Sequence, residues 1–378
     1  MATISEYFEQ AQLSEAAYAA GLTKGMFGGG TEEDPSQYAL QLMNEGNGMS
    51  LSQAITFANQ YTVIDQYTDS LCGFSGTVFQ DASGQIFMAM RGTEPLSIFK
   101  DWTTNIADIG ADGIAIEQGL AMYNWYQQLT SSPGSTVTQY IYHKQTTNLF
   151  GGIDQPAWLE ETSTVVPLSG GGLVGVSAVS VTGHSLGGHL AMIMSRIAPD
   201  MVTSTLTYNA PRFDTSLAVD WSSIPVPQLT LSTTALTSDG FFNLLGNFDN
   251  QIGDSWDFGE IINTRIEGDA VSLIGDLKGA GGQQQLYSES INAGIIDAHD
   301  IKAITDALAI YNLFVTIDPS LSIETISGIL GAFPVDNENI LEAALATVDG
   351  IYSKTYPAIW IDTLQDKTGD ISTLRDAA

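Results

Sequence analysis

The residues with the clearest chemistry are GHSLG at 183–187, which match the pattern G-x-S-x-G. In this pattern a serine stands at the apex of a sharp turn between a strand and a helix, with its hydroxyl exposed at the edge of a sheet. A small, β-branched run at 174–181 precedes the match, and an apolar-periodic helix follows it. This context predicts that Ser185 is a nucleophile. The alternative is a glycine-rich turn that carries a surface serine.

A nucleophilic serine needs a base within hydrogen-bond reach, and the base needs a carboxylate to orient it. In α/β-hydrolases the order along the chain is serine, acid, histidine. Only His189 and His299 follow Ser185. His189 lies on the helix after the serine and is expected to point along that helix, so we predict that His299 is the base. The alternative is a surface histidine in an acidic loop.

The orienting carboxylate is harder to choose because acidic residues are plentiful. Asp269 follows a strand-like run at 261–266 and lies in the loop that leaves the carboxyl end of this strand, where the third member of a triad must lie. We therefore predict Asp269 and keep Asp254, Asp257 and Asp276 as alternatives.

Strand-like runs alternate with amphipathic helices along the chain, which predicts an α/β fold with a mainly parallel sheet covered by helices on both faces. A possible capping box, Thr3 with Glu6, begins the first helix. The segment before the hairpin at 74–91 is polar, and residues 131–172 are loop-like. The predicted strands are 74–80, 85–91, 174–181, 203–209, 229–236 and 261–266.

Charge and composition exclude several function classes. Twelve Lys and Arg against 43 Asp and Glu give a net charge of −31, which repels nucleic acids and anionic membrane surfaces. The chain has one cysteine and four histidines and lacks H-E-x-x-H, so we expect no metal and no cofactor. No apolar run is long enough for a transmembrane helix. No Sec-type signal is visible, yet only 15% of residues are charged, and the resulting surface rich in small polar residues suits an extracellular protein exported by another route.

Three further blocks carry a resemblance to a known family. They are MAMRGTE at 88–94 with DWTTN at 101–105, TYNAPR at 207–212, and GFSGTVF at 73–79. Together with GHSLG they resemble the class 3 (fungal-type) lipases of the α/β-hydrolase superfamily over roughly residues 60–315. The resemblance implies an α/β-hydrolase fold, and it places Asp269 where the family has its triad acid.

A hydrolase of this kind also needs donors for the oxyanion of the tetrahedral intermediate. One donor is expected to be the backbone N–H of Leu186, and the resemblance implies that Thr93 supplies the other. By the same resemblance, Ile98, Phe99, Trp102 and Ile106 lie where the family has its mobile lid; the alternative is an ordinary amphipathic helix. Residues considered for contact with substrate are Phe99, Trp102, His184, Phe241 and Phe242. For Phe241 and Phe242 a place in the core under an insertion is an equal alternative, and for His184 a structural role is the favoured interpretation.

The domain prediction is a catalytic domain at 1–317, with insertions at about 130–173 and 237–260, followed by a helical C-terminal extension at 318–378. The extension is consistent with this chain being one module of a larger protein. The predicted function is hydrolysis of lipid esters (triacylglycerol or phospholipid) at an interface, without stable membrane insertion. The alternatives are hydrolysis of another acyl bond, such as a polyester or thioester, and a non-catalytic binding module.

Overall fold

The computed structural model describes residues 2–43, 48–92, 114–143, 146–147, 153–155, 158–212, 261–266, 269, 271–273, 282–287, 299–332 and 344. The helices within these residues are α1 (Ile4–Ala16), α2 (Gln37–Leu42), α3 (Leu51–Gln60), α4 (Ile116–Thr130), α5 (Leu186–Ile197), α6 (Ile301–Ile317) and α7 (Ile323–Gly331). The strands are β1 (Tyr61–Thr68), β2 (Ser75–Asp81), β3 (Ile86–Met90), β4 (Thr136–His143), β5 (Thr146–Thr147), β6 (Ile153–Gln155), β7 (Trp158–Val165), β8 (Val179–His184), β9 (Val202–Tyr208), β10 (Ile261–Ile266) and β11 (Gly282–Leu286).

The central sheet has seven strands in the order β1-β2-β3-β8-β9-β10-β11. The first three strands pair antiparallel, whereas β3 and the four strands that follow it in the sheet pair parallel. Successive parallel strands are joined by crossovers such as α5, which connects β8 to β9. The sheet is therefore mainly parallel, and the predicted α/β class is confirmed.

Helices cover both faces of this sheet. Neighbouring residues along a strand point to opposite faces. Accordingly, Met88 of β3 packs in a core with α4 and α5, while Phe87 beside it packs in a core with α1, α2 and α3. A further cluster joins Tyr208 of β9 to α1, α6 and α7. The helix α1 begins with the predicted capping box, in which the Thr3 side chain accepts from the Glu6 amide.

Strand β1 lies in the segment before the hairpin at 74–91, where the sequence predicts a polar connection and no strand. Its polar side chains are paired: the Asp65 carboxylate accepts from the Trp125 indole N–H at 2.9 Å, and the Gln66 amide bonds the backbone of Ala19 and Leu22. Tyr61 and Val63 are buried. The strand was missed because tertiary partners, which a sequence pattern does not reveal, compensate its polar residues.

The prediction that residues 131–172 form a loop is wrong over much of this segment. Strands β4 and β7 pair antiparallel over eight residue pairs and form a ribbon separate from the central sheet. Tyr140 and Leu159 are buried against the core that contains α4, and the Asn124 side chain of α4 bonds both backbone groups of Tyr140. Five of the sixteen strand positions are threonine or serine, and serine, glycine and proline flank the ribbon, so the composition resembles that of a loop.

The first part of the predicted extension at 318–378 is described. Ile323, Ile326 and Leu330 of α7 are buried in the same cluster as α1 and α6. The boundary between residues 317 and 318 stays a prediction. The predicted strand at 229–236 and the insertion at 237–260 lie outside the described residues. Within the described residues, no helix has the length and hydropathy needed to cross a bilayer.

Candidate active site

Ser185 lies at the turn between strand β8 and helix α5. Its backbone has φ 57° and ψ −130°, which is uncommon for a residue other than glycine. Hydrogen bonds hold this geometry: the Ser185 amide donates to the Tyr208 carbonyl at 2.8 Å, and its own carbonyl accepts from the Gly188 amide at 2.9 Å. Strain of this kind persists only where the surrounding structure determines it. The turn has the strand-serine-helix form expected of G-x-S-x-G.

The glycines of the motif are required by close backbone contacts. A Cβ atom on Gly187 would overlap the carbonyl oxygen of Met90, at the end of the adjacent strand β3. A Cβ atom on Gly183 would overlap the backbone of Gly187. One on Gly188 would lie 2.6 Å from Cβ of Ala210. The helix α5 can therefore approach β3 and β9 closely only with glycine at these positions.

His299 precedes helix α6, whose N-cap is Asp300. Its Nε2 lies 2.7 Å from Oγ of Ser185, and its Nδ1 lies 2.8 Å from Oδ1 of Asp269. The side chain of His299 is 13% exposed, whereas that of Asp269 is fully buried. The three residues predicted from the sequence thus form one continuous hydrogen-bonded series.

Asp269 is fixed by the loop that follows β10. Its amide donates to the Ile266 carbonyl, and its carboxylate accepts from the amides of Val271 at 3.2 Å and Ser272 at 2.8 Å. With the His299 contact, the carboxylate has three donors. Because carboxylate oxygens accept, the proton of His299 lies on Nδ1, and Nε2 is left to accept from the Ser185 hydroxyl. The alternatives Asp254, Asp257 and Asp276 lie outside the described residues.

Asn209 and Asn263, which the sequence did not single out, join strand β9 to strand β10, and β10 leads into this loop. Asn209 has a left-handed backbone, with φ 46°, and its Oδ1 accepts from the Ile266 amide. Asn263 bonds the amide and carbonyl of Ala210 at 3.2 and 2.9 Å. These bonds continue the pairing of the two strands beyond their ladder, which ends at Thr264 and Tyr208. Asparagine tolerates a left-handed backbone, but nothing local identifies its partner.

His184 is buried, and both of its ring nitrogens have protein partners. Nδ1 lies 2.8 Å from the Tyr18 hydroxyl, and Nε2 lies 2.6 Å from the His299 carbonyl oxygen. The pKa of His184 is held well below its usual range, mainly by burial and to a lesser extent by the nearby His299 ring. These contacts favour the structural role over a contact with substrate. Tyr18 was not singled out from the sequence.

His189 is fully buried and lies on α5, as predicted. Its Nε2 accepts from the Ala115 amide at 3.3 Å, and its Nδ1 lies 3.2 Å from the Pro211 carbonyl. Burial lowers its pKa to about 4. It holds together the start of α4 and the segment after β9, and its ring is bonded to these backbone groups instead of to Ser185.

The predicted oxyanion donors are described in part. Leu186 is the first residue of α5, so its amide has no acceptor within the helix. Gly92 packs so closely against the Ser185 turn that a Cβ atom would overlap the Tyr18 hydroxyl and lie 2.6 Å from the His184 carbonyl oxygen. Thr93, the next residue, lies outside the described residues, as do Phe99, Trp102, Phe241 and Phe242.

No group of three or more His, Cys, Asp or Glu side chains among the described residues is arranged to hold a metal ion. The candidate site consists of a hydroxyl, an imidazole and a carboxylate. These groups can transfer protons and form a covalent acyl bond by themselves.

No protein-family model and no curated protein matches the chain. Solved structures do match. The Lip2 lipase from Yarrowia lipolytica is 12% identical, with 75% of this chain and 78% of that chain covered and a TM-score of 0.32. Lipase II from Rhizopus niveus is 14% identical, with 75% and 80% covered and a TM-score of 0.34. A triacylglycerol lipase from Penicillium expansum is 13% identical, with 79% and 84% covered and a TM-score of 0.31.

At these identities and scores the likeness carries no information about activity or substrate. The α/β-hydrolase fold is evident in the chain itself, from the mainly parallel sheet and the turn at Ser185 between β8 and α5. The chain therefore has an α/β-hydrolase fold, as predicted.

Proposed function

We propose that the chain is a serine carboxylic-ester hydrolase in which Ser185 is the nucleophile, His299 the base and Asp269 the orienting acid. One observation carries this proposal: the hydrogen-bonded series from Ser185 Oγ through both nitrogens of His299 to Asp269, with contacts of 2.7 and 2.8 Å. These distances lie within the range that proton transfer to a general base requires. A non-catalytic module would have no need of this series at a strained turn.

In the proposed reaction, Nε2 of His299 takes the Ser185 proton while Oγ bonds to the ester carbonyl carbon and the carbonyl π electrons move to oxygen. The amide of Leu186 and a donor at Thr93 would stabilise this oxyanion. Nε2 then protonates the departing alcohol oxygen as the C–O bond breaks, which leaves an acyl-serine. Water attacks the acyl carbon after losing a proton to Nε2, and that proton returns to Oγ as the acid departs.

Asp269 has two tasks in this mechanism. It holds the proton of His299 on Nδ1, so that Nε2 faces Ser185 with a lone pair, and its charge stabilises the imidazolium that forms in the transition state. The Ser272 amide holds Oδ2, and the Val271 amide shares Oδ1 with Nδ1 of His299, so both loop amides fix the carboxylate beside the ring.

We further propose that the substrates are lipid esters met at an oil or micelle surface. The support is the resemblance of the motif blocks, and fold-level analogy is weaker evidence than site chemistry. Rates on p-nitrophenyl esters of increasing acyl length, on emulsified tributyrin and on a phospholipid would distinguish a lipase from a short-chain esterase. A rate that rises steeply above the solubility limit of tributyrin supports action at an interface.

A fluorophosphonate probe tests the chemistry directly, because it labels only an activated serine. The wild-type chain should react, and Ser185→Ala should not. Ser195→Ala is the matched control, since this serine lies on the same helix and bonds the carbonyl of Met192; this variant should label normally. Labelling that persists in Ser185→Ala, or a wild-type chain that neither labels nor cleaves esters, would disprove the proposal.

A further inference from the structure

A second hydrogen-bonded series reaches His299 at its backbone, separate from the contact of its ring with Asp269. It begins at the hydroxyl of Tyr18, just after helix α1, passes through the ring of His184 and ends at the backbone carbonyl of His299. Tyr18 and His184 are 2% and 3% exposed. Tyr18 lies 166 residues from His184 in the chain, so the series joins three separate parts of the fold.

The partners determine which atoms carry protons. A carbonyl oxygen only accepts, so the 2.6 Å contact with His299 requires a proton on Nε2 of His184. A neutral imidazole then has a lone pair on Nδ1, and the Tyr18 hydroxyl must donate to it across 2.8 Å. The His299 carbonyl therefore fixes the tautomer of His184, and the Tyr18 hydroxyl supplies the matching donor to Nδ1.

His184 is also the residue immediately before the nucleophile. Its backbone pairs with Tyr208 in the central sheet, while the next residue, Ser185, donates its amide to the same Tyr208. The ring of His184 thus connects the backbone of the base to the rigid strand end that carries the nucleophile. His299 itself is held by its ring contacts with Ser185 and Asp269 and by this bond to its backbone.

We propose that Tyr18 and His184 are positioning residues that set the distance between His299 and Ser185, an inference that rests on the proposed function. The two ring contacts of His299 leave the ring free to shift as proton transfer changes their lengths. A bond to the backbone carbonyl limits that shift from a third direction. Base catalysis depends on a geometry of this kind, and a misplacement of about 1 Å can cost about 100-fold in rate.

Four variants test the proposal. In His184→Gln the amide nitrogen occupies about the position of Nε2 and can still donate to His299, whereas in His184→Asn it occupies the position of Nδ1 and cannot. Tyr18→Phe removes the donor to Nδ1. Tyr61→Phe is the control, since it likewise removes the hydroxyl of a buried tyrosine, one that donates to Glu9 of α1 and is not part of the series that reaches His299.

On a soluble ester, His184→Asn should lower kcat by about 30- to 100-fold with KM changed less than about threefold, and His184→Gln should recover at least about tenfold of this loss. Tyr18→Phe should lower kcat by about three- to tenfold, again with little effect on KM, and Tyr61→Phe should match the wild type. Nitrogen-15 NMR of histidine-labelled protein should show the Nε2–H tautomer for His184, identified from the signal lost in His184→Gln.

Wild-type kcat in both Tyr18→Phe and His184→Asn would overturn the proposal, as would a loss that His184→Gln does not recover. An Nδ1–H tautomer for His184 in the folded wild type would also overturn it, independently of any kinetics. These results differ from a failure of the proposed function, in which the wild type itself is inactive or Ser185→Ala retains activity. An inactive wild type would remove both proposals.

Discussion

The side chain of Asn263 bonds both the amide and the carbonyl of Ala210, at 3.2 and 2.9 Å, and so acts as an extra backbone unit between strands β9 and β10. Asn263 and Ala210 are completely buried. The Oδ1 atom also accepts from the Thr207 hydroxyl at 3.1 Å. Since β10 leads into the loop that carries Asp269, this contact joins the nucleophile side of the sheet to the acid side.

Replacing Asn263 by Ala should therefore destabilise the fold. The change leaves the amide and carbonyl of Ala210 without this partner, and each unsatisfied buried group costs about 1–3 kcal/mol. We expect a loss of about 2–4 kcal/mol, measured by urea denaturation. Asn312→Ala is the control, since the Asn312 side chain accepts from the exposed Ser5 hydroxyl; it should cost less than about 1 kcal/mol. Equal losses in the two variants would contradict this account.

Gly187→Ala should be far more harmful than an alanine at an open glycine. The new Cβ would overlap the Met90 carbonyl, which is backbone and cannot rotate away. A Cβ atom on Gly328 of α7 would meet no atom within 4 Å apart from its chain neighbours and the adjacent backbone of its own helix, so Gly328→Ala should raise stability by up to about 1 kcal/mol because alanine favours helix.

Thermal unfolding of the two purified variants would check this contrast. We expect a higher midpoint than wild type for Gly328→Ala, and a much lower midpoint or insoluble protein for Gly187→Ala. A Gly187→Ala variant with the wild-type midpoint would mean that helix α5 can move away from β3 at little cost.

How far the site is predictable depends on how local each contact is. The Ser185 turn could be predicted because its requirements, two glycines and a strand before a helix, are adjacent in the sequence. His299 could be predicted as the base by elimination, because His189 is the only other histidine after Ser185 in the sequence. Tyr18 and Asn263 could not be found, because their side chains are ordinary in local context and their partners come from distant segments.

The same reasoning applies to the elements. The strand β10 was predicted with its observed bounds, because its β-branched residues, Ile261, Ile262, Thr264 and Ile266, are a local signal. Strand β1 and the ribbon of β4 and β7 were missed, since their polar residues are matched by partners on other elements, as Asp65 is by Trp125. The catalytic roles of the triad residues stay predictions that kinetics must test.

Removing members of the proposed triad should lower kcat by amounts that are not additive as free energies when the changes are combined. Ser185→Ala and His299→Ala should each lower kcat by about 10⁴- to 10⁶-fold, and the double variant should be hardly worse, since the two act as a unit. Asp269→Asn should cost about 10²- to 10⁴-fold, because the amide disturbs the tautomer of His299 while Nε2 remains.

Single-turnover rates on a p-nitrophenyl ester, with circular dichroism to verify folding, would measure these losses. Multiplicative losses in the double variant would mean that Ser185 and His299 do not share one step. A harmless Asp269→Asn would direct attention to Asp254, Asp257 and Asp276.

His189 should make the fold sensitive to acid. Burial lowers its pKa to about 4 in the folded chain, against 6.5 for the unperturbed group, so the unfolded chain binds a proton more readily. Stability from this group is complete above about pH 6.5, and it is lost progressively as the pH falls from about 6.5 to 4. A pKa shift of this size corresponds to a change of about 3 kcal/mol in the free energy of unfolding between pH values well above 6.5 and well below 4.

The variant His189→Asn isolates this contribution, because the asparagine amide can still donate to Pro211 but takes up no proton. At pH 7 the variant should be less stable than wild type, since the bond from the Ala115 amide is lost. As the pH falls towards 4.5 the urea midpoints of the two proteins should converge, because only the wild type loses the His189 contribution. Acidic residues elsewhere affect both proteins alike and cancel in the comparison. A difference in midpoint that stays constant from pH 7 to 4.5 would show that His189 does not make folding pH-dependent.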